Sequence, residues 1–314
     1  MKASKAPWSI QVELTEGCSR RCSYCGINGI RGTRPDFKYM TPATAQKIAE
    51  SIAAAGWNSR IEFNMHGEPS LNPDKDEIVS IFRAALPKAS MLMLTNGHGF
   101  VKDAAAQINA IFQAGLNTIG MSDYRHAGST TVADVLDQVL AGETAIDVRL
   151  YPDEKIANPH KRRRPNDHTL VIIDDITKAK RGTHSYLSNH CGCGAPPNEK
   201  MAGKRCVLPF RELSIRWDGN VAICCNDFRG VLKIGNVAKE GVQKIWDSPI
   251  FAAARRKLYW GQRDISVCKG CDAKQPRIGL VQRTRKPLPG DDKILRLASR
   301  GKPYTAAVKL SWER

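Results

Sequence analysis

The stretch Cys18-Ser19-Arg20-Arg21-Cys22-Ser23-Tyr24-Cys25 places three thiols in one short loop, spaced C-x3-C-x2-C, with an aromatic ring beside the last. Iron–sulfur clusters are completed by four thiolates. A loop that offers three leaves one iron open, and an open iron can bind a small molecule and pass it an electron. On residues alone the same thiols admit a zinc knuckle. Zinc sites favour paired C-x2-C units with His or further Cys, and no second pair lies near this one.

Outward from that loop the chain alternates short apolar runs with amphipathic ones. Residues 10–14, 61–65, 91–94, 118–121, 145–150 and 170–173 read as strands. Residues 41–55, 75–86, 101–114 and 131–140 read as helices, the first capped by Thr41 or Thr44 and closed by Gly56. This rhythm predicts parallel βα units with right-handed crossovers. Sheets of that kind carry their sites at the C-terminal ends of the strands. The cysteine loop follows the first strand and falls on that edge.

The motif and its setting resemble the radical S-adenosylmethionine (SAM) superfamily. The resemblance implies an α/β fold: a partial (βα)6 barrel over about 8–175, then a small α+β auxiliary-cluster domain. It implies that Cys18, Cys22 and Cys25 hold a 4Fe–4S cluster whose fourth iron is chelated by SAM, with Tyr24 beside it. In that family reductive cleavage of SAM yields a 5′-deoxyadenosyl radical that abstracts hydrogen. The segment His66-Gly67-Glu68-Pro69 is similar to the family's Gly-Gly-Glu motif, whose backbone binds the SAM amino group, with His66 in place of the first glycine. By the same resemblance Gly67, Glu68, Ser122 and Arg149 are expected SAM contacts. An ordinary Gly-Pro turn, a capping serine and a surface arginine are the plainer readings of these residues.

Seven further cysteines lie in the second half. Cys206, Gly219 and Cys224 form C-x12-G-x4-C, and Cys268 and Cys271 form C-x2-C. The Asp218-Gly219 pair between apolar residues is a hairpin signal. The set resembles the opening of a SPASM domain in its shorter, twitch form. That resemblance implies one auxiliary 4Fe–4S cluster on Cys206, Cys224, Cys268 and Cys271, closed by four thiolates; spacing alone would also allow zinc. Cys225 reads as a spare thiol. Cys191 and Cys193 read either as redox-active or hydrogen-donating thiols near a substrate or as ordinary buried thiols. Asp227 reads as a substrate-facing acid or base, or as a turn residue. The expected domains are 1–185, 186–280 and a basic tail over 281–314.

The chain has 314 residues and a formal charge of +17, from 48 Lys and Arg against 31 Asp and Glu. Basic runs occur at His160–Arg164 and from Arg277 onward, through Arg283, Arg285, Lys286, Lys293, Arg296, Arg300, Lys302 and Lys309. Such runs neutralise phosphates without reading sequence. No apolar run approaches the ~20 residues of a membrane helix, and the N-terminus lacks a signal-peptide core. A cytoplasmic protein is expected (the host cytoplasm, were it phage-encoded), with its ten cysteines ligating metal rather than forming disulfides.

Charge and compact form point first to a nucleic-acid partner. The resemblance extends that to radical SAM proteins of phage DNA hypermodification, where an isomerase rearranges a glycinyl-thymine type base. Peptide or protein maturation, and twitch-type oxidation of a small-molecule alcohol, are the alternatives; a zinc-stabilised nucleic-acid-binding protein is the non-enzymatic one. A flavodoxin or ferredoxin reductant is implied by the family.

Overall fold

The computed structural model describes residues 6–22, 25–29, 37–124, 128–142, 146–151, 168–173, 189–194, 204–273 and 286–300. Tyr24, the 160–164 run, and Arg277, Arg283, Arg285, Lys302 and Lys309 lie outside them.

Among the described residues one eight-stranded sheet organises the chain. Its strands are β1 (Ser9–Val12), β4 (Arg60–Phe63), β5 (Met91–Thr95), β6 (Thr118–Ser122), β7 (Asp147–Tyr151), β8 (Thr169–Ile173), β9 (Glu212–Ile215) and β10 (Val221–Ala222). A small ribbon pairs β2 (Thr15–Glu16) with β3 (Lys38–Tyr39). Helices α1 (Pro42–Ala54), α2 (Lys75–Ala85), α3 (Ala104–Gln113) and α4 (Thr131–Ala141) supply the crossovers. The N-terminus of α1 is set by Pro42 in its first turn and by Thr41, whose side chain accepts the Thr44 N–H. Helix α3 starts three residues later than its apolar pattern suggests, because Asp103 takes a left-handed φ of 58° and Gln138 caps the Ala104 N–H at 2.8 Å.

The sheet order is β10-β9-β1-β4-β5-β6-β8-β7, parallel throughout except for β10. Chain order would put β7 beside β6; β8 sits there instead. Strand β8, Thr-Leu-Val-Ile-Ile, is apolar on both faces and suits an interior position. Strand β7 carries Asp147 and Arg149 and suits an edge. The sheet also runs on past β1, where β9 pairs parallel with it.

Alternation along the strands divides the sheet into two faces. One face, with Ile10, Val12, Ile61, Phe63, Met91, Met93, Ile119, Met121, Leu170, Ile172, Leu213 and Ile215, is fully or nearly fully buried in the main core. The other carries Gln11, Glu62, Asn64, Glu212 and Ser214. In register, Gln11 stands between Glu62 on one neighbour and Ser214 on the other.

Beyond the sheet, the short helices α5 (Leu208–Arg211), α6 (Val237–Glu240) and α7 (Val242–Trp246) lead to α8 (Pro249–Tyr259), which is capped by Ser248 and packs on α9 (Asp291–Ser299). Ile294, Leu295 and Ala298 bury one face of α9, while Asp291 receives Arg256, and Asp292 receives Lys257. This part of the expected basic tail is therefore docked, with Lys293, Arg296 and Arg300 outward. Among the described residues no helix is long and apolar enough to cross a membrane.

Candidate functional site

A cavity of about 430 Å³ opens at the C-terminal ends of β1, β4, β5 and β6. Cys18, Cys22 and Cys25 line it together, with Gly67, Glu68, Asn96 and Ser122. A larger groove of about 760 Å³ lies by the 216–220 hairpin, but no cysteine lines it.

Local structure fixes the cysteine loop. Gly17 and Gly67 form a parallel backbone bridge, and the Glu68 N–H donates to the Gly17 carbonyl at 2.8 Å. A Cβ on Gly67 would lie 2.0 Å from the Thr15 carbonyl oxygen and 2.5 Å from that of Gly17, so only glycine fits. The Glu68 carboxylate is committed inside the protein. It accepts the Ser70 N–H at 3.0 Å, the Ser70 hydroxyl at 2.6 Å, the Asn96 N–H at 2.7 Å and the Thr95 hydroxyl. Burial pushes its pKa up against these bonds. Glu68 thus ties the turn after β4 to the end of β5, and Asn96, held there, donates from Nδ2 to Cys18 Sγ at 3.4 Å.

His66 is fully buried, with Nδ1 2.7 Å from Glu13 Oε1 and its ring 4.4 Å from that of Phe228. It lines the cavity from this buried position. Met65 before it lines the cavity at φ 99°, a left-handed conformation costly for a side-chain-bearing residue. Arg20 lies 4.3 Å over the ring of Tyr124, and both line the cavity. Arg149 is in β7, opposite Val171.

The cavity wall beyond the thiols comes from the polar sheet face. Gln11, Glu62 and Asn64 line it, and Gln11 Oε1 and Asn64 Oδ1 are buried without a hydrogen-bond partner. Cys225 lines it as well, apart from the second thiol set. Its N–H donates to Glu212 Oε1 at 3.2 Å, and Glu212 Oε2 accepts from Gln11 at 3.1 Å. Burial pushes Glu212 up to about 7. Asp227, by contrast, does not line the cavity. It is buried near Arg216 and His66, its Oδ2 lacks a partner, and burial raises its pKa.

The second thiol set is held in the buried interior, on the chain after α4. Cys206, Cys224, Cys268 and Cys271 are all buried. The Cys206 N–H donates to the Leu258 carbonyl at the end of α8, and a turn closed by Cys271 N–H to the Cys268 carbonyl holds the other pair. Cys191 lies near Cys224 and Cys271. Cys193 turns the other way, into a small cluster with Ile27, Phe228 and Cys25.

Both places fit iron–sulfur clusters. Burial pushes Cys18 and Cys206 up to about 12, a cost that binding to a cation reverses. The positive field of Arg263 falls on Cys206, Cys268 and Cys271, and its Nη2 is buried with no partner. An anionic cluster among those thiols would supply one. Among the described residues no three His, Cys, Asp or Glu side chains surround a single-ion position.

A parallel α/β sheet with three thiols on a cavity at its strand ends, and four more beside it, defines an iron–sulfur enzyme of the SAM-cleaving kind. Comparison with known families agrees. Residues 12–122 match the radical SAM superfamily and residues 206–272 match the SPASM iron–sulfur cluster-binding domain; the chain is a radical SAM enzyme with a SAM-binding and an auxiliary 4Fe–4S cluster. It is 26% identical over 268 residues to the S-adenosyl-L-methionine-dependent 2-deoxy-scyllo-inosamine dehydrogenase of Niallia circulans, covering 84% of this chain and 92% of that protein. It is 31% identical over 149 residues to the GTP 3′,8-cyclase of Mycolicibacterium smegmatis, 45% of this chain and 39% of the cyclase. The crystal structure of BtrN in complex with AdoMet and 2-DOIA shares the fold, with a TM-score of 0.64 at 23% identity over 87% of this chain and 94% of BtrN.

Proposed function

We propose that this enzyme oxidises a hydroxyl-bearing carbon of a small polyhydroxy or aminopolyhydroxy molecule. The observation that carries the reading is the nearly end-to-end likeness to a dehydrogenase named for an inosamine. The cavity wall supports it. Gln11 Oε1 and Asn64 Oδ1 are unpartnered acceptors, flanked by the carboxylates of Glu62 and Glu212, and such a wall suits a ligand rich in hydroxyl and ammonium donors.

In this reading Cys18, Cys22 and Cys25 hold the SAM-binding cluster, and Cys206, Cys224, Cys268 and Cys271 the auxiliary one. Gly67, Ser122 and Arg149 are proposed SAM contacts, as is Tyr24; Glu68 acts by shaping the turn. Converting CH–OH to C=O removes one hydrogen atom, one proton and one electron. The bound groups supply a hydrogen-atom acceptor at the first site and a one-electron acceptor at the second. The chain's own residues position the alcohol and take its proton. Cys225 faces the cavity with Glu212 behind it, and a carboxylate near pH 7 is poised to receive that proton. Asp227 is a positioning residue that holds the 227–231 turn through the Val231 N–H at 3.4 Å.

A nucleic-acid base as substrate is the second reading, favoured by the +17 charge and the outward Lys293, Arg296 and Arg300 of α9. One experiment separates the two. Anaerobically reconstituted enzyme is given SAM, dithionite and either carbon-deuterated 2-deoxy-scyllo-inosamine or duplex DNA. Deuterium appearing in 5′-deoxyadenosine with a ketone product supports the alcohol reading. SAM cleavage stimulated by DNA alone, and weakened by salt, would replace it with the nucleic-acid reading.

A further inference from the structure

Two amide side chains on the cavity wall are oriented by the carboxylates behind them. Gln11 Nε2 donates to Glu212 Oε2 at 3.1 Å, and Asn64 Nδ2 donates to Glu62 Oε2 at 3.3 Å. Turning either amide over would set its oxygen against a carboxylate oxygen, so charge fixes which end faces away. The end that remains is the oxygen. Gln11 Oε1 and Asn64 Oδ1 are both buried without a hydrogen-bond partner, on side chains that line the cavity. Gln11 is only 8% exposed, so bulk water does not meet the need. An acceptor buried in this way is costly unless a ligand brings the donor.

The strands that carry these amides are stiff. Gln11 stands between the fully buried Ile10 and Val12, in register with Glu62 on the neighbouring strand. The Asn64 N–H donates to the Val12 carbonyl at 3.2 Å, which pins the end of β4 to β1. Glu62 is held from its other oxygen by Arg60 Nε at 2.8 Å. Both amide oxygens are therefore preorganised on paired strands rather than on a loop.

A hydroxyl brings one hydrogen, and its own lone pairs call for donors. An ammonium brings three hydrogens and no lone pair. Amide oxygens backed by carboxylates match the second group better than the first. We propose that Gln11 and Asn64 form an ammonium subsite, so that the substrate is a primary amine as well as an alcohol. The proposal rests on the alcohol-oxidation reading and narrows it. The NH3+ group donates to Gln11 Oε1 and Asn64 Oδ1, with the carboxylates of Glu62 and Glu212 behind them. The amine is the handle by which the ring is held, and a hydroxyl elsewhere on that ring reacts. The subsite binds and orients; no bond is made or broken at it.

The test is equilibrium binding by calorimetry to the anaerobically reconstituted enzyme, with SAM present and no reductant. The probes are 2-deoxy-scyllo-inosamine and the same ring carrying a hydroxyl in place of its amine. Wild type is expected to bind the amine at least about tenfold more tightly. Gln11→Met and Asn64→Leu keep the bulk of the side chain and remove its oxygen. Each is expected to cut that preference to below about threefold, chiefly by weakening the amine. Iron content and the SAM-responsive signal of the N-terminal cluster report that the variants have folded, and the wild-type comparison needs no variant. Equal affinity of wild type for the two rings would overturn the proposal, and so would an undiminished preference in both variants. Deuterium transfer separates this failure from that of the underlying reading. If both carbon-deuterated rings bind equally and pass deuterium to 5′-deoxyadenosine, the ammonium subsite is wrong and alcohol oxidation stands. If neither ring binds or transfers deuterium, both fall.

Discussion

Gly17 and Gly67 lie backbone to backbone, and that contact sets the cysteine loop against the turn after β4. No side chain can enter it, since a Cβ on Gly67 would sit 2.0 Å from a carbonyl oxygen. Gly67→Ala must therefore push the two loops apart. The expected outcome is a chain that folds and loads its auxiliary cluster but binds SAM at least about tenfold more weakly. Titrating SAM against the spectrum of the reduced N-terminal cluster checks it; unchanged affinity would mean the bridge is incidental.

Glu68 accepts four hydrogen bonds from Ser70, Thr95 and Asn96. A glutamine there has one acceptor oxygen and an amide that would face donors. Since hydrogen bonds to a buried charge contribute about 1.5–3 kcal/mol each, Glu68→Gln is expected to destabilise the protein by about 2–4 kcal/mol. Thermal unfolding of the cluster-free protein measures this without interference from metal loading. A change below about 0.5 kcal/mol would show that the carboxylate does not hold the turn.

Glu212 gives a pH signature. Burial raises its folded pKa to about 7 from an unfolded value of 4.5. A carboxyl raised in this way favours the folded state below pH 4.5, and that contribution is lost as the pH climbs through 7. Glu212→Gln removes the penalty. The variant should be more stable than wild type by about 2–3 kcal/mol at pH 8, with the advantage fading toward pH 5. If Glu212 also takes the substrate proton, product formation falls in the same variant. Equal urea midpoints for the two proteins at pH 8 would refute the pH argument.

Cys22→Ala and Cys206→Ala should separate the two cluster sites. The first is expected to abolish SAM cleavage and leave about four irons per chain. The second should also leave about four, yet still cleave SAM without oxidising an alcohol. Loss of every iron in either variant would contradict two independent sites.

Much of the fold was legible in the chain. The alternation of runs located six strands within two or three residues, and Thr41 with Pro42 marked the start of α1. The exchange of β7 and β8 was not, because an apolar run such as 169–173 announces burial without naming its neighbours. The same holds for β9, whose partner β1 lies some 200 residues earlier in the chain, a pairing with no local signal. The three N-terminal cysteines were read from spacing, and the structure brings them onto one cavity.

The opposite wall was missed, although a signal existed. Strands of a parallel sheet buried on both faces should be apolar throughout. Gln11 between Ile10 and Val12, Glu62 between Ile61 and Phe63, and Ser214 between Leu213 and Ile215 break that rule in register. Polar residues at alternate positions of neighbouring buried strands mark a lined cavity. Cys225 reads as spare in the sequence because Cys224 beside it joins the other thiol set, and nothing local shows that it lines the cavity. Asp227 drew attention for its place after two cysteines, yet it does not line the cavity and its carboxyl is buried near His66 and Arg216.

The most direct measurement is SAM binding to the reduced N-terminal cluster, followed by paramagnetic resonance in the wild type and in Cys206→Ala. An iron held by Cys18, Cys22 and Cys25 with one corner open predicts that SAM shifts the signal in both proteins and that 5′-deoxyadenosine follows. A reduced cluster whose signal ignores SAM, or a purified chain carrying zinc in place of iron and sulfide, would contradict it.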